Sequence, residues 1–330
     1  MRRLGYLLSI IVLLFVTTAC SNSGDTSTSK ENSNGKNKDE KIVIGTSVAS
    51  LGFLFFVEGQ KAAEEAANEL GIKTIFYDAE ENQAKQNQDI EDMIVKGVDA
   101  IVVAPVTTEG IVPAIKQANE KGIPVFTVDR YVESDEVDIV AHLGTDNIDM
   151  GANAAELFVK GLEDKYPNEK VFKVAELIGT AGSSTAMERG EGIHSVLENH
   201  PKIEFVANLN ADFQSTEAMS TTEDILTSNK ELHGIIAHND MMIEGAFRAA
   251  DAAGRAKDLI LVGMDGQKST VEQIIAGDIY GSYLQQAAML GDGVRAAVEF
   301  LDGKEIEEII AIPTEEINPE NAEEMINKAW

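Results

Sequence analysis

The chain of 330 residues carries 27 Lys and Arg against 56 Asp and Glu, a formal net charge of −29. A field of that sign repels polyanions and excludes a nucleic-acid partner, and one cysteine with 27 glycines excludes disulfide-scaffold and collagen-like classes. At 44% apolar residues the chain can build ordinary cores, about two of them at roughly 150 residues per domain.

Residues 1–19 read as a secretory signal peptide. Arg2 and Arg3 form the positive segment, Leu4 to Val16 the apolar segment, and Thr17, Thr18 and Ala19 the small residues before a cleavage site. The apolar run is short of the about 20 residues that a membrane span needs. Cys20 follows directly and resembles the lipidated cysteine of bacterial lipoproteins, although Thr17 stands where that motif usually has Leu. Lipidation at Cys20 is therefore expected, with anchoring on the extracytoplasmic face of the cell membrane. Residues 20–40 contain no large apolar side chain, so they are expected to be a flexible tether.

From Lys41 onward, short β-branched runs alternate with amphipathic helical stretches. The runs at 41–47, 73–78, 99–105 and 123–129 are predicted strands, with a further short run at 138–144. The helices between them close on Gly71, Gly97 and Gly122, each placed where a C-terminal cap needs a left-handed residue. A second series of predicted strands follows at 170–179, 203–211, 233–240, 258–266 and 279–286. The pattern predicts an α/β fold of two doubly wound, parallel-sheet units.

Ligands of such sheets bind beyond the C-terminal strand ends. The side chains found there are Phe53, Phe55 and Phe56, Asp129 and Arg130, Arg189, Phe213, Asn239, Asp265 and Gln285. Aromatic faces suit the C–H surface of a sugar ring. Carboxylates, guanidinium groups and carboxamides together match a rim of hydroxyls that both donate and accept. Each cluster also has a plain structural explanation. Phe53 to Phe56 could staple a helix start, and Asp129 with Arg130 could be a surface ion pair. Arg189 could lie on a solvated helix face, Gln285 could be exposed, and Asn239-Asp240 could be a helix cap with Asp240 as the capping residue.

The five histidines show no metal-binding spacing, and neither G-x-S-x-G nor a phosphate-cradling loop of the Walker type is present. The stretch Gly179 to Ser183 is a weak candidate for holding phosphate, and His238 beside the strand end reads as a spacer rather than a base. No metal and no cofactor are expected, and no catalytic residue is assigned.

Taken in order, FFVEGQKAAEEAANELG, NQAKQNQDIEDMIVKGVDAIVVAP, IPVFTVDR, TDN at 145–147, ERGEG at 188–192, AHND and VGMDG resemble the ribose-binding type of bacterial ABC-importer sugar-binding proteins (type I periplasmic binding proteins). The resemblance implies a two-lobed clamp rather than an enzyme. Its N-terminal lobe would comprise 41–146 plus 286–312, and its C-terminal lobe 147–285 plus 313–330. Crossovers near Thr145, Gln285 and Pro313 would form the hinge.

It further implies that Phe55 and Phe56 stack on one sugar face and Phe213 on the other. Asp129, Arg130, Arg189, Asn239, Asp265 and Gln285 would hold the hydroxyls. Phe53 and Met264 stand where ribose binders usually have an Asn and an aromatic residue, so the individual sugar stays open among monosaccharides and polyols. The expected partners are a small-molecule sugar, ABC permease subunits and the membrane through Cys20, with the protein a monomer. Two alternatives stay open: the same clamp reporting a sugar, nucleoside or autoinducer-type furanose to a chemoreceptor or sensor kinase, and a secreted carbohydrate-active enzyme. A repressor sharing the fold would need a basic DNA-contacting front end, which this chain lacks.

Overall fold

A computed structural model describes residues 41–330. The predicted signal peptide, Cys20 and the tether lie outside the described residues.

The first half of the chain forms β1 (Val43–Val48), α1 (Leu54–Leu70), β2 (Lys73–Asp78), α2 (Gln83–Lys96), β3 (Ala100–Val103), α3 (Val112–Glu120), β4 (Val125–Val128) and β5 (Ala141–Gly144). The second series is α4 (Asn147–Lys165), β6 (Phe172–Ile178), α5 (Ser184–Leu197), β7 (Ile203–Asn210), α6 (Ser215–Ser228), β8 (Gly234–Ala237), α7 (Asp240–Ala252), β9 (Ile260–Val262), α8 (Lys268–Ala276) and β10 (Ser282–Leu284). The chain then closes with α9 (Met289–Leu301), β11 (Ile309–Ala311), β12 (Glu315–Ile317) and α10 (Ala322–Met325).

Two parallel sheets result. One has six strands in the order β11-β5-β4-β3-β1-β2, the other four in the order β7-β6-β8-β9. Every residue of β3, β4, β5, β8 and β9 is buried, because helices cover both faces, and this is why those strands read as unbroken apolar runs. In each sheet the chain winds first to one side and then to the other, so a crevice opens beyond the ends of β1 and β3 and of β6 and β8.

Helix ends follow local chemistry. Asn82 caps α2 by accepting from the Lys85 amide at 3.1 Å, and Gly97 ends the helix at φ 70°. Helices α4 and α5 approach closely, since a Cβ on Gly192 would lie 2.1 Å from the Ile148 carbonyl oxygen. That contact brings the Arg189 turn of α5 down onto α4.

The closing segment departs from the alternation. After α9 packs on α1, β3 and β4, β11 adds a parallel edge strand beside β5. Strand β10, which sequence placed simply as one more member of the second series, pairs antiparallel with β12. It touches β9 and the turn after it through single parallel bridges, Val262 to Gly281 and Asp265 to Leu284. Both β11 and β12 are only three residues long, and β11 is largely exposed although Ile309, Ile310 and Ala311 are all apolar. Among the described residues no helix is long and apolar enough to cross a membrane.

Candidate functional site

All ten residues picked out from the strand ends line one cavity, and Thr185 is the eleventh. The cavity encloses about 320 Å³ of empty space, counting its opening to solvent.

Its aromatic wall comes from two places. Phe53 sits at the N-cap of α1 in an extended conformation, with Phe55 and Phe56 in the first turn. The Phe53 ring lies 6.1 Å from Phe56 and, edge-on, 6.2 Å from Phe213 in the loop after β7. Phe53 to Phe56 do start a helix, but three of the four side chains are buried against the cavity rather than merely stapling that start.

Asp129 and Arg130 follow β4 and are buried, so they are not a surface ion pair. Asp129 adopts φ 62° and accepts at Oδ1 from Gln285 Nε2 at 2.9 Å. Arg130 is held by Nη1, which donates to the carbonyls of Pro105 (3.0 Å) and Val106 (2.7 Å). Its guanidinium carbon stands 5.8–6.0 Å from the ring centres of Phe53, Phe56 and Phe213. Arg130 Nε is buried with no hydrogen-bond partner, and the nearest Asp129 oxygen is 3.8 Å away. A buried, unpaired cationic donor on a cavity wall fits a site built for an acceptor from outside.

Arg189 stands on α5 with 1% of its surface exposed, the reverse of a solvated helix face. Its Nε donates to Asn147 Oδ1 (3.0 Å), Nη1 to Asp265 Oδ1 (3.0 Å) and to the His238 carbonyl, and Nη2 to Gln285 Oε1 (2.5 Å). Burial pushes the Asp265 carboxyl up to about 7, against the pull of Arg189. Asp240 lies beside it and is pushed up to about 8 by burial and then by the Asp265 charge.

The capping assignment of Asn239 and Asp240 is reversed in the structure. Asn239 caps α7, with Oδ1 accepting from the Met242 amide at 2.9 Å, while its Nδ2 donates to the Phe213 carbonyl at 3.3 Å. Asp240 is the first helical residue, fully buried, and accepts from Ser282 Oγ and from the Gln267 amide. Asn239 therefore both caps and lines the cavity; Asp240 braces the wall from behind.

The other weak candidates also resolve into structure. His238 is buried and shares a hydrogen bond with Glu176 at 2.8 Å, outside the cavity lining. In the Gly179–Ser183 stretch, Ser183 caps α5 and Gly182 accepts at its carbonyl from the Thr108 amide at 3.0 Å. Among the described residues no group of His, Cys, Asp and Glu is placed to hold a metal.

The two sheet-bearing halves touch around the cavity mouth. The Tyr131 amide donates to Ser184 Oγ at 2.7 Å, and Gln214 Nε2 donates to Glu81 Oε2 at 2.6 Å. Sequence reasoning missed Thr185, an ordinary first-turn residue of α5, and Trp330, which packs behind the cavity through contacts no local pattern announces.

The site thus combines two carboxylates, two guanidinium groups, two carboxamides and four phenyl rings. Its formal charges cancel, which favours a neutral guest able to donate and to accept.

A family model described as periplasmic binding protein domain matches residues 44–305. The chain belongs to that family. The ribose import binding protein of Bacillus subtilis is 34% identical over 301 residues, covering 91% of this chain and 94% of that one. Its counterpart in Haemophilus influenzae is 35% identical over 82% of this chain and 89% of its own. Among solved structures, a galactofuranose binding protein superposes with TM-score 0.81 at 26% identity, over 87% of this chain and 98% of that one. An ABC-transporter solute binding protein of Bacillus halodurans with bound myo-inositol gives TM-score 0.80 at 29% identity, over 89% and 100%. In this periplasmic-binding-protein fold the lined cavity lies beyond the strand ends of both sheets, where loops from each approach one another.

Proposed function

We propose that this protein is an extracytoplasmic solute-binding protein. It captures one monosaccharide or small polyol between two lobes, closes on it and presents it to an ABC permease. The observation that carries this reading is the convergence of residues from Phe53 to Gln285 on one charge-balanced, aromatic-walled cavity. The lobes are 41–146 plus 286–312 and 147–285 plus 313–330; the pairing of β11 with β5 and of β12 with β10 supports that division. Ligand shifts the population toward the closed form by bridging the lobes.

The groups around the cavity are committed to binding. Arg189, Asp265, Gln285 and Asp129 already hold one another, and the protein makes and breaks no bond in its guest. The monomer is anchored outside the membrane by lipid on Cys20, with 20–40 as its tether. D-ribose, D-apiose, xylitol and myo-inositol form the test panel. Calorimetry with each, and small-angle scattering with and without the best binder, should show saturable binding at one site and compaction. Absence of heat, stabilisation and compaction with every sugar and polyol offered would overturn the reading.

A further inference from the structure

Trp330 is the sole tryptophan of the sequence, and it joins three places that lie far apart along the chain. Its indole N–H is shared between two carbonyls, that of Asp265 at 3.1 Å and that of Gln285 at 2.8 Å. Its ring meets Phe55 edge-on, with centres 5.7 Å apart and planes at 70°. Its own carbonyl accepts from the Lys268 amide at 2.8 Å, at the start of α8.

Asp265 needs such support. Its φ of 128° lies in a region that residues with a Cβ seldom occupy, so the surrounding bonds must impose it. The Asp265 amide donates to the Tyr283 carbonyl at 2.8 Å, and the Gln285 amide donates to the Asp265 carbonyl at 2.9 Å. The indole closes this short ladder by gripping the Asp265 and Gln285 carbonyls together. From that ladder the Asp265 and Gln285 side chains reach Arg189, and Gln285 also reaches Asp129. On its other side Trp330 bears on Phe55 of α1, which belongs to the half of the molecule built on the six-stranded sheet.

We propose that Trp330 is a positioning residue. It lies outside the cavity lining, yet it fixes the backbone from which Asp265 and Gln285 project and braces the polar wall against the aromatic one. The inference rests on the proposed sugar-binding function and adds a residue to it.

The test uses the full chain and the variants W330F and W330A. W330F keeps a ring beside Phe55 and loses the N–H donor; W330A loses both. With the panel sugar that binds the wild type, W330F should raise Kd about tenfold, mainly through faster release, and W330A further still. In the double variant W330F/Q285A the combined loss should fall short of the product of the two single losses, because the indole acts partly through Gln285. Multiplicative losses would overturn the proposal, as would an unchanged Kd in W330F.

Amide exchange provides a readout that needs no ligand. In W330F, exchange around 264–266 and 284–286 should speed at least tenfold while α6 stays at the wild-type rate. Equal exchange in both proteins would also overturn the proposal. If the wild type binds nothing in the panel, the proposed function fails, and exchange still decides whether Trp330 holds these segments.

Discussion

Two arginine–aspartate pairs face the cavity, and they differ in how complete they are. Arg189 uses all three of its nitrogens and meets Asp265 at 3.0 Å. Arg130 hydrogen-bonds through Nη1 alone among the described residues, to two backbone carbonyls, and stands 3.8 Å from Asp129. The first pair is a finished network that shapes one wall. The second is a cation fixed by its far end and by three phenyl rings, with Nε left over. A buried arginine can therefore serve two purposes in one site: structure where every nitrogen is hydrogen-bonded, and recognition where a buried Nε is not.

The largest effect that separates the two is expected from removing Arg189. Arg189→Met leaves the Asp265 carboxylate and the Gln285 and Asn147 oxygens buried without their shared donor. It should lower folding stability by about 3–5 kcal/mol, read as a shift in denaturant midpoint. A loss below about 1 kcal/mol would remove the distinction drawn here. Arg130→Met should cost less stability, about 1–3 kcal/mol, because it frees two carbonyls near the cavity while Asp129, 3.8 Å away, keeps its hydrogen bond from Gln285. It should nonetheless weaken sugar binding at least a hundredfold. Equal ratios of affinity loss to stability loss in the two variants would show that both arginines do the same work.

A smaller effect is expected across the cavity mouth. Gln214→Ala removes the 2.6 Å bond to Glu81, whose carboxyl burial pushes above its ordinary range. Stability should change by less than about 1 kcal/mol, while affinity falls about threefold as the closed form loses one contact. Calorimetry at fixed pH checks this, and an unchanged Kd would mean the contact does not favour closure.

The smallest effect is the pH dependence of the ligand-free protein. Asp265 and Asp240, raised to about 7 and about 8 by burial, keep protons in the fold that the unfolded chain releases near pH 4. Their favourable contribution is therefore full only below about pH 4, and it is lost progressively as pH rises to about 7 and 8. Burial lowers His142 to about 4 and also lowers His238, so their contribution falls as pH drops below about 6.5 and opposes the gain from the two carboxyls. Melting temperature should fall as pH rises from about 6.5 to about 8, where the histidines no longer oppose the carboxyls. Bound sugar should flatten the alkaline side, since hydroxyls donating to Asp265 stabilise its ionised form. A profile rising steadily to pH 9 would contradict the assignment.

Much of the architecture was readable because parallel strands covered on both faces leave contiguous apolar runs, as 99–105 and 123–129 do. The placement of the cavity residues was readable for a related reason: they sit where those runs stop. Three-residue strands such as β11 and β12 are too short to carry a comparable signal, even where, as in β11, every residue is apolar. The Asn239–Asp240 reversal shows a different limit. Either side chain can cap a helix, and the choice depends on backbone angles, here φ −153° and ψ 171° at Asn239, that composition does not encode. For Arg189 a solvated helix face stayed open beside the binding role, because an arginine on a helix is usually exposed. Only the close approach of α4 and α5 at glycine, together with Asp265 from β9's end, buries it. Trp330 was invisible for want of any local pattern, since all its partners come from distant segments.

Strand β11 has one more consequence, for synthesis. During translation β5 emerges as an open edge, and the segment that covers it follows roughly 165 residues later. At ordinary ribosomal speed that interval is on the order of 10–30 s. A sheet that forms within that interval ends on an unpaired β5 edge. The first sheet to be started is thus among the last to be completed, and a messenger truncated before codon 309 would yield a sticky fragment rather than a smaller working clamp.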